Sequence, residues 1–180
     1  MILTSLTSLA YRIHVPRYAS TPTSGAGAAT HGGRLNRIGV NALYLSLEPE
    51  TALAEYRQTS NLLPPGLIVS YELVVEPLVD FRNGPSAAFD PLWNDFNCDW
   101  RKLYFNDHIE PPTWIIGDMV IAAGAKGIIF KSVINNGGDH GDNSSIGTNV
   151  VLYNDMLAAS DKLSVYDPQN TLPANQDSWK

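Results

Sequence analysis

The residues best placed to do chemistry lie in "GGRLNRIGVNALYLSLEPETALAEY", positions 32 to 56. An arginine follows a glycine pair, a tyrosine falls inside an apolar run, and a glutamate sits further on in a helix-like stretch. A guanidinium beside glycines can hold a phosphate bidentately, because its donors form a planar fork and glycine lets a ligand approach the backbone. Arg34 therefore suits a pyrophosphate. If "ALYLSL" at 42 to 47 is a strand, Leu43, Leu45 and Leu47 share its apolar face while Tyr44 and Ser46 point the other way. Tyr44 can then face a cleft. On a helix from 49 to 59, Ala52, Glu55, Tyr56 and Thr59 fall three or four apart and line one side. A carboxylate there can stabilise the positive charge that develops as a glycosidic bond breaks. Each residue also has a plainer reading: Arg34 as a surface ion pair, Tyr44 as core, Glu55 as a solvated helix residue. Only the conjunction of the three lifts the functional reading above these.

The elements that must position them follow from periodicity and turn chemistry. "LAYRIH" at 9 to 14 alternates like a short strand, and 19 to 33 is a loop of Gly, Ala, Ser and Thr. Glu48-Pro49 opens the helix that carries Glu55, with proline in its first turn. "LIVSYELVV" at 67 to 75 is a strand rich in β-branched residues, 91 to 106 reads as a helix, and 113 to 124 reads as a second amphipathic helix. Strands at 126 to 132, 148 to 153 and 163 to 167 complete the pattern, with a polar loop at 134 to 147 between the first two. The expectation is an α+β fold, with one domain over 1 to 167 and a polar, frayed tail over 168 to 180.

Composition narrows the chemistry further. A chain of 180 residues with 44% hydrophobic and 17% charged residues is globular. The net charge of -6 argues against direct nucleic-acid binding, which needs clustered Lys and Arg. Apolar runs such as "WIIGDMVIAAGA" are too short to span a bilayer, and no signal peptide is convincing at the start. The expected setting is cytoplasmic, without membrane attachment. The single cysteine, Cys98, excludes an internal disulfide and reads as a buried small hydrophobe. His140 in "DHGD" reads as part of a polar turn, with a metal site the lesser alternative. No dinucleotide fingerprint, phosphate loop or nucleophile turn is present.

"GGRLNRIG", then "ALYLSLEPETALAEY", then "GIIFKS" before "NVVLY" resemble the RES domain, and the likeness runs from about Tyr11 to Asn154. The resemblance implies an ADP-ribosyltransferase-like mixed β-sheet core with flanking helices, and a catalytic and binding set of Arg34, Tyr44, Glu55 and Ser132. Leu35 stands where the family often has Trp, and Lys131 where it often has Pro. Arg12 has a family counterpart, or serves as a structural ion pair. The resemblance implies NAD as substrate and no metal. Arg34 would hold the phosphates, Tyr44 would orient the nicotinamide end, Ser132 would hydrogen-bond the ribose or amide, and Glu55 would stabilise the oxocarbenium ion. It further implies the toxin half of a type II toxin–antitoxin pair that cleaves the nicotinamide–ribose bond as a glycohydrolase or phosphorylase. The partner would be an Xre-type helix-turn-helix antitoxin, and the resemblance admits a homodimer within that complex. A mono-ADP-ribosyltransferase acting on one cellular protein is the enzymatic alternative, and a catalytically silent binding domain the other.

Overall fold

The computed structural model describes residues 1–58, 62–133 and 147–177. Thr59, His140 and residues 134 to 146 of the loop expected at 134 to 147 lie outside the described residues. Six strands form one mixed sheet: β1 (Leu3–His14), β2 (Ala42–Ser46), β3 (Leu67–Asp80), β4 (Gly127–Lys131), β5 (Thr148–Tyr153) and β6 (Lys162–Val165). Among the described residues three α-helices accompany them, α1 (Ala26–His31), α2 (Pro49–Arg57) and α3 (Pro112–Ala122). The expected α+β class is the observed one.

The strand order β1-β2-β5-β4-β3-β6 carries an additional β1–β3 pairing, so the first five strands close into a ring and β6 lies outside it on β3. Strand β1 runs antiparallel to β3 from Leu3↔Val79 to His14↔Leu67, which extends it well beyond the six residues expected. Leu3, Leu6 and the intervening Thr and Ser residues are drawn into the ladder by this partner, a tertiary effect that local pattern does not reveal. On its other edge β1 meets β2 at one residue pair, Tyr11↔Ser46. The two strands diverge from that point, and the crevice between them is where the candidate site lies.

Alternation divides the core in two. Leu43 and Leu45 of β2, with Val150 and Leu152 of β5, belong to an inner cluster with Tyr71 and Leu73. The opposite faces of the same strands carry Ala42, Val151 and Tyr153 into an outer cluster covered by α3. Helix α3 buries Trp114, Ile116, Gly117 and Val120 while leaving Ile115 exposed.

The helix expected over 91 to 106 is broken. Pro91–Asp95 forms a 3-10 turn, and Lys102–Asn106 forms a separate π-type turn. Asp90 accepts from the Leu92 amide at 2.9 Å and Asp99 from the Lys102 amide at 3.0 Å, so each aspartate starts a new turn. Packing reinforces the break, because Trp93 and Phe96 close around Phe81 with ring centroids 4.8 and 4.4 Å away. The loop at 19 to 33 contains α1, which its alanines favour and the Ser24 hydroxyl helps start by accepting from the Ala26 amide. After β6 the chain turns on Asp167, which accepts from the Thr171 and Leu172 amides, and Leu172 packs against the inner cluster.

Gly117 lets α3 approach the loop that bears Arg34. A Cβ at this position would stand 2.2 Å from the Leu35 carbonyl oxygen and 3.0 Å from the Tyr153 hydroxyl. Both atoms are fixed by the surrounding structure. We expect Gly117→Ala to lower stability by about 1–3 kcal/mol despite the better helix propensity of alanine. Urea denaturation would measure it, and a neutral or stabilising result would refute this account of the contact.

Candidate functional site

The loop from Gly33 to Asn36 is held by its backbone. The Leu35 amide donates to the Tyr44 hydroxyl at 2.9 Å, and that hydroxyl donates in turn to Asn36 Oδ1 at 2.8 Å. Trp114 Nε1 donates to the Gly33 carbonyl at 2.7 Å, and the Tyr153 hydroxyl donates to the Leu35 carbonyl at 2.8 Å. Asn36 Nδ2 reaches the carbonyls of Ala28, Arg37 and Val40 at 3.0–3.1 Å, tying α1 to the same loop. Gly33 is required by this crowding, since a Cβ there would fall 2.4 Å from Asn36 Oδ1 and 2.6 Å from the Tyr44 hydroxyl. Burial pushes the Tyr44 hydroxyl well above its ordinary pKa, so it remains a donor.

With the backbone satisfied elsewhere, the Arg34 side chain projects into a pocket of about 410 Å³. Among the described residues no hydrogen bond or ion pair engages its guanidinium. The surface ion pair belongs instead to Arg37, which binds Asp118 and reaches Glu110 at 2.9 Å. Burial lowers the pKa of Arg34, and the charge of Glu55 acts in the opposite direction. Arg12, on β1, lines the same pocket and donates weakly to the Tyr44 carbonyl at 3.5 Å; burial lowers its pKa too. An arginine stays charged under such shifts. Arg101 stands at the rim with its guanidinium 4.8 Å from the centroid of the Trp100 ring.

Facing these three cations is one carboxylate. Helix α2 begins at Pro49 after Glu48, whose side chain accepts from the Thr148 amide at 2.8 Å and so docks the helix against β5. Ala52, Glu55 and Tyr56 then line the pocket. Glu55 Oε1 accepts from Asn149 Nδ2 at 2.6 Å and from Ser132 Oγ at 2.9 Å. Ser132 is buried and meets the site through Glu55. Among the described residues no group of three or more His, Cys, Asp or Glu side chains could hold a metal ion, and no helix is long and apolar enough to cross a membrane. A concave pocket of this size, cationic and with a single oriented carboxylate, can hold an anionic ligand while stabilising a developing positive charge.

The RES domain model matches residues 9–175. The chain belongs to the RES domain family. Its fold is similar to that in the crystal structure of the M. tuberculosis MbcT-MbcA toxin-antitoxin complex, with a TM-score of 0.62 and 14% identity over 90% of this chain and 84% of that one. No curated protein matches the sequence.

In this RES domain, Arg34, Tyr44 and Glu55 meet around one pocket, with Ser132 behind Glu55. Leu35 is fully buried in the outer core, so its departure from the common Trp leaves a packing role there. Lys131 ends β4 with its side chain exposed, away from the buried Ser132. Sequence reasoning missed Asn149, and it named Ser46 without giving it a role. Their signal was a polar residue within an apolar strand, since asparagine is depleted in strands. Trp100 and Arg101 were hidden in the segment read as a continuous helix.

His14 supplies a second, separate link to the pocket wall. Its Nε2 lies 2.6 Å from the Tyr71 hydroxyl, which donates to the Pro22 carbonyl at 2.9 Å and so anchors the segment leading into α1. Burial, aided by the positive charge of Arg12, pushes the His14 pKa down to about 4 from its ordinary 6.5. Between those values the unfolded chain binds a proton that the folded chain does not. Stability is therefore lost as pH falls from about 6.5 to about 4, by at most roughly 1.4 kcal/mol per pH unit from this group. We expect chemical denaturation to record a shallower loss for His14→Gln than for the wild type over that window. Identical slopes would show that His14 carries no such linkage.

Proposed function

We infer that this RES domain is the toxin of a toxin–antitoxin pair and that it consumes NAD by cleaving the nicotinamide–ribose bond. The observation that carries the reading is the pocket's charge arrangement: Arg34 and Arg12, with Arg101 at the rim, gathered opposite Glu55. A dinucleotide offers the complementary pattern, a pyrophosphate for the guanidinium groups and a cationic nicotinamide riboside for the carboxylate. The fixed loop holds the backbone from which Arg34 projects. Little backbone freedom is then lost when the pyrophosphate binds.

Nicotinamide leaves with the electron pair of the C–N bond, which neutralises its ring and transfers positive charge to the ribose. Glu55 stabilises the resulting oxocarbenium ion. Water adds at the anomeric carbon and releases a proton to solvent, giving ADP-ribose; phosphate or a protein side chain as acceptor would give other products. Tyr44 positions the reacting end through the ring that borders the pocket, while its hydroxyl maintains the arginine loop. Ser132 steadies the carboxylate. An Xre-type antitoxin is the expected partner, and a segment of it laid over α1 and the adjoining Gly32–Gly33 would close the Arg34 pocket without any contact to DNA from the toxin.

Glu55→Gln should reduce NAD turnover by about a hundredfold or more, the scale of losing one key electrostatic contact, with folding nearly unchanged. Near-normal turnover would exclude the catalytic assignment. Identification of products separates the readings: free nicotinamide formed without a protein acceptor supports NAD degradation, and labelling of one protein supports the mono-ADP-ribosyltransferase.

Arg34→Lys keeps a charge but loses the planar fork, so calorimetry should record weaker NAD binding, and weaker still for Arg34→Ala. Unchanged affinity in both would remove Arg34 from the binding site.

A further inference from the structure

We propose that Asn149, itself held by Ser46, is a positioning residue that fixes which oxygen of Glu55 faces the pocket. The register places Ser46 of β2 directly opposite Asn149 of β5, on the same side of the sheet as the pocket. Both residues are buried, as is Ser132. Ser46 Oγ donates to Asn149 Oδ1 at 2.8 Å, and Asn149 Nδ2 donates to Glu55 Oε1 at 2.6 Å. The direction of this chain is dictated by chemistry. An ionised carboxylate can only accept, so the amide must turn its NH₂ toward Glu55, and its oxygen then accepts from the serine hydroxyl.

Ser132 Oγ donates to the same Glu55 oxygen at 2.9 Å. Oε1 thus takes two donors from two strand ends, while Oε2 has no hydrogen-bond partner among the described residues. Two convergent donors on one oxygen stop the carboxylate from rotating, and they leave the other oxygen for the reacting ribose. Such preorganisation matters because a carboxylate that must reorient during bond cleavage loses part of its stabilising effect. Asn149 acts through Glu55, and Ser46 acts through Asn149.

This inference rests on the NAD-cleaving reading, and the experiment distinguishes the two. In steady-state assays, Asn149→Ala should lower kcat by about 10- to 100-fold with KM changed by less than about threefold, the pattern of a contribution made in the transition state. Placed on Glu55→Ala, the same substitution should cost less than about twofold, because a residue that works through Glu55 has nothing left to position. Ser46→Ala should give a smaller fall, reversed by Ser46→Thr, and this pair serves if Asn149→Ala folds poorly. Crystal structures of the wild type and of either alanine variant give a readout apart from activity: the Glu55 carboxylate should turn in the variant. An equal loss with and without Glu55, or a carboxylate that keeps its orientation, overturns the proposal. A wild-type chain that leaves NAD intact overturns the functional reading instead, and the structural comparison still decides the role of Asn149.

Discussion

The site depends on three aromatic side chains that take over the hydrogen bonding of one short loop. Tyr44 from β2, Trp114 from α3 and Tyr153 from β5 bind the amide of Leu35 and the carbonyls of Gly33 and Leu35. A buried backbone group left unpaired is costly, so these contacts make one loop conformation much better than its competitors. They also release the Arg34 side chain from any structural duty. Gly33 and Gly117 are the complementary requirement, since the aromatic groups and α3 can come this close only where no side chain intervenes.

Electrostatics then follows from position. Among the described residues three guanidinium groups share a pocket with one carboxylate, and Arg34 has no ion pair. Removing such a charge from water without a partner disfavours the folded state. The aromatic cluster around Phe81 and the β1–β3 ladder offset it at a distance. Glu55 is held differently: its two hydrogen bonds come from neutral donors, Asn149 and Ser132.

Much of this was legible in the sequence, for reasons that vary by residue. Strand β5 was read to its ends, and β2 and α2 nearly so, because Tyr44 alternates with leucines and Pro49 marks a helix start. Arg34 stood out beside its glycines. What stayed hidden depended on partners remote in the chain. The length of β1 is set by β3, and the break between 91 and 106 is set by two aspartate caps and by packing on Phe81. Asn149 and Ser46 acquire meaning only when the register sets them opposite each other. Arg37 shows the contrast: it lies three residues from Arg34, yet Asp118 and Glu110 claim it.

The order of the elements along the chain has a consequence for synthesis. Glu55 is made early, but its two donors arrive 77 and 94 residues later. The Arg34 loop likewise waits for Trp114, 81 residues beyond Gly33, and for Tyr153, 118 residues beyond Leu35. A nascent chain on the ribosome therefore carries the charged groups of the pocket long before it can arrange them. The pocket in its described form requires β5 to have emerged and paired between β2 and β4.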